Sequence, residues 1–149
     1  MRFVVDSMLG ALARYLRIMG YDAAYQSSYT DKQLYELMSK GRILLTRNHK
    51  RAEKHKNAIL IDCDLVKDQL TVLNKAVALT QDRENWFSRC ILCNSPLRKV
   101  KEEEARAHVP DFVFLKHKER IFFCPSCKRF YWPGTHRQRT LERLKEWGF

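Results

Sequence analysis

Through the first 80 positions, short continuous apolar runs alternate with stripes of apolar residues at helical spacing. Arg2 to Val5 is such a run and stops at Asp6, after which Leu9, Leu12, Ala13 and Leu16 keep the i, i+3, i+4, i+7 spacing of one buried helical face. Gly20 ends that helix, and Ala23 to Tyr25 reads as a weaker strand before the Ser27-Ser28 loop. Thr30-Asp31-Lys32-Gln33 matches a capping box and predicts a helix that carries Leu34, Leu37 and Met38 inward as far as Gly41. Ile43 to Thr46 is a continuous apolar run rather than an alternating one, the pattern of a strand covered on both faces in a parallel sheet. A basic segment from Arg47 to Lys56 should form a short helix. Ala58 to Ile61 gives another buried strand ended by Asp62, and Leu70, Leu73 and Val77 mark a further helix. About four strand-helix units imply an α/β domain with a parallel sheet.

Beyond this point the pattern changes. Gln81 to Asn85 is polar and reads as a linker, which divides the chain into an α/β domain over 1–85 and a second module over 86–149, rich in cysteine, aromatic and basic residues. Cys90-Ile-Leu-Cys93 and Cys124-Pro-Ser-Cys127 are two C-x-x-C pairs, each able to form a tight turn that aims two thiolates at one tetrahedral ion. Together they predict a closed, structural zinc site in a ribbon, with Phe112-Val-Phe and Ile121-Phe-Phe as its strands. Two disulfides are the competing reading, disfavoured in a reducing compartment. Cys63 stands apart and reads as a buried, inert thiol. Leu141 and Leu144, with Arg137, Arg139, Arg143 and Lys145 around them, predict a basic C-terminal helix over His136 to Gly148, with Arg137 and Arg139 as candidate nucleic-acid contacts, that could equally serve a protein partner.

Charge narrows the class of partner. The chain carries a formal +11, of which +4 falls before position 86 and +7 after it, so a polyanion is the expected partner. No apolar stretch approaches the ~20 residues that cross a bilayer, and Asp6 interrupts the segment where a signal peptide is apolar, so a cytoplasmic protein without a membrane span is expected.

In open parallel sheets functional groups gather beyond the carboxyl ends of the strands. Asp6 follows the first strand, Asp31 opens a helix, Asn48 lies just past the third strand, and Asp62 and Asp64 follow the last. Carboxylates gathered at one edge repel unless a cation lies among them, and Mg²⁺ or Mn²⁺ suits such oxygen ligands. The basic residues Arg47, Lys50, Arg51, Lys54 and Lys56 would then hold a phosphate backbone beside them. Plainer readings stand next to this one: Asp31 as a helix-start charge, Asp62 and Asp64 as turn residues, and the basic run as a solvated helix face.

Several of these segments together resemble one family. Phe3-Val4-Val5-Asp6-Ser7-Met8-Leu9-Gly10, Leu12-Ala13-Arg14-Tyr15-Leu16-Arg17, Gly20-Tyr21-Asp22, Ile43-Leu44-Leu45-Thr46-Arg47, Arg89-Cys90 with Cys93-Asn94, and Tyr131-Trp132-Pro133-Gly134-Thr135-His136 resemble the Mut-seven C-terminal RNase-domain family, over nearly the whole chain. The resemblance implies a PIN-like three-layer α/β/α domain with a zinc ribbon, whose acidic pocket binds divalent metal and cleaves RNA. Asp6 and Asp31 match its acidic positions, and Arg14, Arg47 and Lys50 are placed on the phosphates. The third position, usually Thr-Arg-Asp, is Asn48 here, which removes one negative charge. Two expectations follow: an Mg²⁺- or Mn²⁺-dependent ribonuclease weakened at Asn48, or a non-catalytic RNA-binding protein associated with a ribonucleoprotein such as the ribosome. RNA would be the partner, with ribosomal and transfer RNA among the candidates, and Phe130, Tyr131 and Trp132 would be available for stacking unless they form the ribbon core.

Overall fold

A computed structural model of the chain describes residues 1–80 and 82–149, so Gln81, the first residue of the expected linker, lies outside the described residues. These residues fall into two compact units, 1–94 and 95–149.

The first unit is built on a parallel sheet. Its strands are β1 (Arg2–Val5), β2 (Asp22–Tyr25), β3 (Ile43–Thr46) and β4 (Ala58–Leu60), in the order β2-β1-β3-β4. The central strands β1 and β3 hold fully buried Phe3, Val4, Val5, Leu44 and Leu45, as their unbroken apolar runs require when helices cover both faces. After a 3₁₀ turn at Ser7–Leu9 come α1 (Gly10–Ile18), α2 (Asp31–Ser39), α3 (His49–Lys54) and α4 (Val66–Val77). Val4 and Leu44 pack with Leu34, Leu37 and Met38 of α2, while α1 and α4 contact each other. The capping box of α2 is complete: Gln33 N–H donates to Thr30 Oγ1 at 3.2 Å, and Gln33 Oε1 accepts from Thr30 N–H at 2.9 Å.

Residues 82–94 pack against this unit. Trp86 is buried, Phe87 N–H donates to Ile18 O at 2.7 Å, and Asn85 closes on Gly20. Gly20 has φ +86°, and a Cβ there would sit 2.5 Å from Asn85 O, so both the backbone conformation and the space require glycine.

The second unit holds an antiparallel sheet of β5 (Arg98–Lys99), β6 (Phe122–Cys124) and β7 (Arg129–Tyr131), with α5 (Glu102–His108), α6 (Asp111–His117) and α7 (Thr135–Glu146). Ile121-Phe-Phe supplies β6 as expected, but Phe112-Val-Phe is helical, within α6. The reason is local and tertiary together: Pro110 and Asp111 start a helix, and its Val113 joins Ala105 and Val109 in a core with Val100 and Ile121. Phe123, Phe130 and Trp132 pack against that core, and Phe130 stacks on His108 with ring centroids 5.2 Å apart. No helix among the described residues is long and apolar enough to cross a membrane.

Candidate functional site

The ends of β1 and β3 meet the N-termini of α2 and α3 around one buried carboxylate. Asp6 is 5% exposed, immediately past β1, and its backbone N–H donates to Leu45 O of β3 at 2.9 Å. Its side chain accepts from Ser7 N–H at 2.8 Å, from the Thr46 hydroxyl at 2.6 Å, and from Arg51 Nη1 at 3.0 Å to each oxygen. Burial pushes the Asp6 carboxyl up, and the hydrogen bonds from Thr46, Ser7 and Arg51 with the Arg51 charge outweigh it, so the net direction is down. Asp6 is therefore ionised at neutral pH.

Asp31, the first residue of α2, reaches the same guanidinium, with Arg51 Nη2 at 3.3 Å. Asn48 caps α3: its Oδ1 accepts from Arg51 N–H at 3.1 Å, and its own N–H donates to Thr46 Oγ1 at 3.0 Å. Asp6, Asp31 and Asn48 are thus assembled about Arg51. Beside them Asp31, Asn48, Lys50, Arg51, Lys54 and His55 line an open cleft of about 370 Å³.

The other sequence candidates divide. Lys50 and Lys54 are exposed at this cleft. Arg51, expected on a phosphate, turns onto the two carboxylates instead. Arg47 pairs with Asp64 at 2.8 Å and His49 with Asp62 at 3.1 Å, so Asp62 and Asp64 are engaged apart from Asp6. Arg14 is exposed on α1, Arg139 is exposed on α7, and Arg137 is half-buried on α7. Cys63 is half-buried, and burial pushes its thiol up, as an inert cysteine requires. Thr46 was not singled out from the sequence: its hydroxyl links Asn48 to Asp6, and its mark was a polar residue closing an otherwise apolar strand.

The cysteines form a second centre. Sγ atoms of Cys90, Cys93, Cys124 and Cys127 all lie within 4.8 Å of one another, a group able to hold a metal ion in the manner of a zinc ribbon. The same turn is built twice. Asn94 N–H donates to Cys90 O and Lys128 N–H to Cys124 O, each at 2.9 Å. Asn94 and Lys128 both take the left-handed conformation, at φ 71° and 57°. The first turn is held from below by Arg17, 4% exposed, whose Nη1 donates to Ile91 O at 3.0 Å and Leu92 O at 2.8 Å. Asn94 fixes its edge, with Oδ1 accepting from Ala23 N–H at 3.0 Å and Nδ2 donating to Asp22 at 2.6 Å.

The family model for the Mut7-C RNAse domain matches residues 1–144 of the 149. The chain belongs to this family. The family's description as an RNAse domain points to a nuclease-like function with RNA as the class of substrate, which agrees with a cationic cleft beside buried acid. A search of the curated proteins finds no match.

Proposed function

We propose that the protein is a divalent-metal-dependent ribonuclease of PIN-like type, with residues 1–85 as the hydrolytic domain and 86–149 as a zinc ribbon with a basic helix. The observation that carries the reading is the convergence of Asp6 and Asp31 on one guanidinium, that of Arg51, whose backbone N–H is capped by Asn48, beside Lys50 and Lys54. The guanidinium of Arg51 is a stand-in for a metal ion, since it occupies a spot where two carboxylates call for positive charge. Two carboxylate oxygens and one amide oxygen are hard donors that fit Mg²⁺ or Mn²⁺, and Asp6, Asp31 and Asn48 would hold the ion. Bound there, it would supply Lewis acidity and an activated water.

The chain's own groups do the rest. Thr46 and Ser7 orient Asp6 and keep it ionised, Lys50 and Lys54 hold the phosphate backbone, and Asn48 sets the N-terminus of α3 at the cleft. Cleavage of single-stranded RNA should require Mg²⁺ or Mn²⁺ and be lost in Asp6→Asn. Cleavage undiminished by that change would end the proposal.

A second reading, RNA binding without cleavage, is favoured by Arg51 itself, which already offsets one of the pair's two negative charges, and by Asn48, which supplies no charge. Asn48→Asp separates the two, because Asp is an equally good helix cap and leaves α3 intact. A sharp rise in metal-dependent cleavage marks a weakened nuclease, whereas no change alongside tight RNA binding marks a binding protein.

A further inference from the structure

The second unit contains a cleft that neither the acidic pocket nor the cysteines account for. It has a volume of about 580 Å³, within the range of small-ligand sites. Phe112, Lys116 and His117 come from α6, Arg120 from the turn that follows it, Trp132 from the loop after β7, and Arg137 from the first turns of α7.

Its chemistry has two halves. Lys116, His117, Arg120 and Arg137 are all basic, and no carboxylate lines the cleft among the described residues. Burial and the neighbouring charge of Arg120 push the Arg137 guanidinium down, so these two cations sit close enough to oppose each other. An anion between them relieves that repulsion. The other half is aromatic. Phe112 is 73% exposed, which is costly for a phenyl ring left in water, and Trp132 packs one side on the core while lining the cleft with the other. Rings and paired guanidiniums at one opening suit a ligand with a flat apolar face and a phosphate one bond series away, which is a nucleotide unit of a single strand.

We propose that this cleft binds single-stranded RNA, stacking one base on Phe112 and Trp132 and seating its phosphate between Arg120 and Arg137. The choice of RNA over DNA rests on the ribonuclease reading, while the stacking and phosphate chemistry does not.

Binding of a fluorescein-labelled oligoadenylate to the full-length, zinc-loaded protein tests it, measured by anisotropy without added Mg²⁺ or Mn²⁺ so that cleavage plays no part. Phe112→Ala and Arg120→Gln lie at exposed positions and should each weaken binding by about three- to tenfold, with zinc content and circular dichroism unchanged. Arg120→Gln should also lower the slope of log affinity against log salt by about one. Arg139→Gln, an exposed charge of α7 outside the cleft, should have a much smaller effect. Equal losses in Arg120→Gln and Arg139→Gln would overturn the site in favour of diffuse charge. An abasic ribose-phosphate oligomer binding as tightly as oligoadenylate would overturn the stacking, and equal competition by an acidic peptide would overturn the nucleic acid.

Discussion

A guanidinium 3.0 Å from both oxygens of Asp6 and 3.3 Å from Asp31 carries the same sign of charge as a divalent ion and competes for the same oxygens. At an effective dielectric near 20, one unit charge about 4 Å away is worth roughly 4 kcal/mol, enough to change a metal affinity by orders of magnitude. Arg51→Gln should therefore tighten Mn²⁺ binding at neutral pH by about tenfold or more, read by calorimetry or by the spin-resonance signal of free Mn²⁺. Combining it with Asp6→Asn should cancel the gain. Equal affinity in Arg51→Gln and the natural protein would show that the guanidinium does not guard the pocket.

Edges of the sheet need protection, and β2 is an edge strand. Arg42, just before β3, donates to both oxygens of Asp22 at 2.7 and 2.9 Å and to Phe3 O at 3.0 Å, joining three strands. Asn94 completes the edge from the first cysteine turn. Burial pushes the Asp22 carboxyl up, and the bonds from Arg42 and Asn94 with the nearby arginine charges bring it down overall. Since the folded value lies below the unfolded one, this stabilisation is full above pH about 4 and is lost as pH falls through the folded value. Asp22→Asn should lower stability by about 1–3 kcal/mol at neutral pH and flatten the acid limb of a denaturation profile. A profile of unchanged shape would assign the acid sensitivity elsewhere. Gly20→Ala should cost a similar amount, because φ +86° and the approach of Asn85 O oppose any side chain. Arg17→Met should loosen the first cysteine turn, seen as faster zinc release to a chelator at unchanged zinc stoichiometry.

For the chain as a whole, a cysteine cluster able to hold a metal ion and a net +11 bear on stability and partner class. The sheet of the second unit has strands of two or three residues, too little core to hold 55 residues firmly without a staple. Metal analysis should find one zinc per chain. Cys127→Ser should lose it and abolish the cooperative unfolding of this unit, whereas a Cys127→Ser protein with natural melting behaviour would mean the cysteines carry no structural metal. RNA affinity should fall steeply with salt, as the charge demands.

The strand and helix order of the first unit, the capping box at Thr30 and the two cysteine turns were legible along the chain because each depends on residues close in sequence. Asp6, Asp31 and Asn48 were also legible as candidates, since residues that close parallel strands or open helices share one edge of the sheet. What the tertiary structure alone decided is direction and partnership. Arg51 turns inward to two carboxylates 20 and 45 positions away, Arg17 holds carbonyls more than 70 positions on, and the helix over Phe112 to Phe114 puts Val113 in the core and leaves Phe112 in solvent. A long cationic side chain looks the same in sequence whether it reaches water, a phosphate or an acid. Its choice depends on which opposite charge folding brings within reach, and that is a property of distance in space.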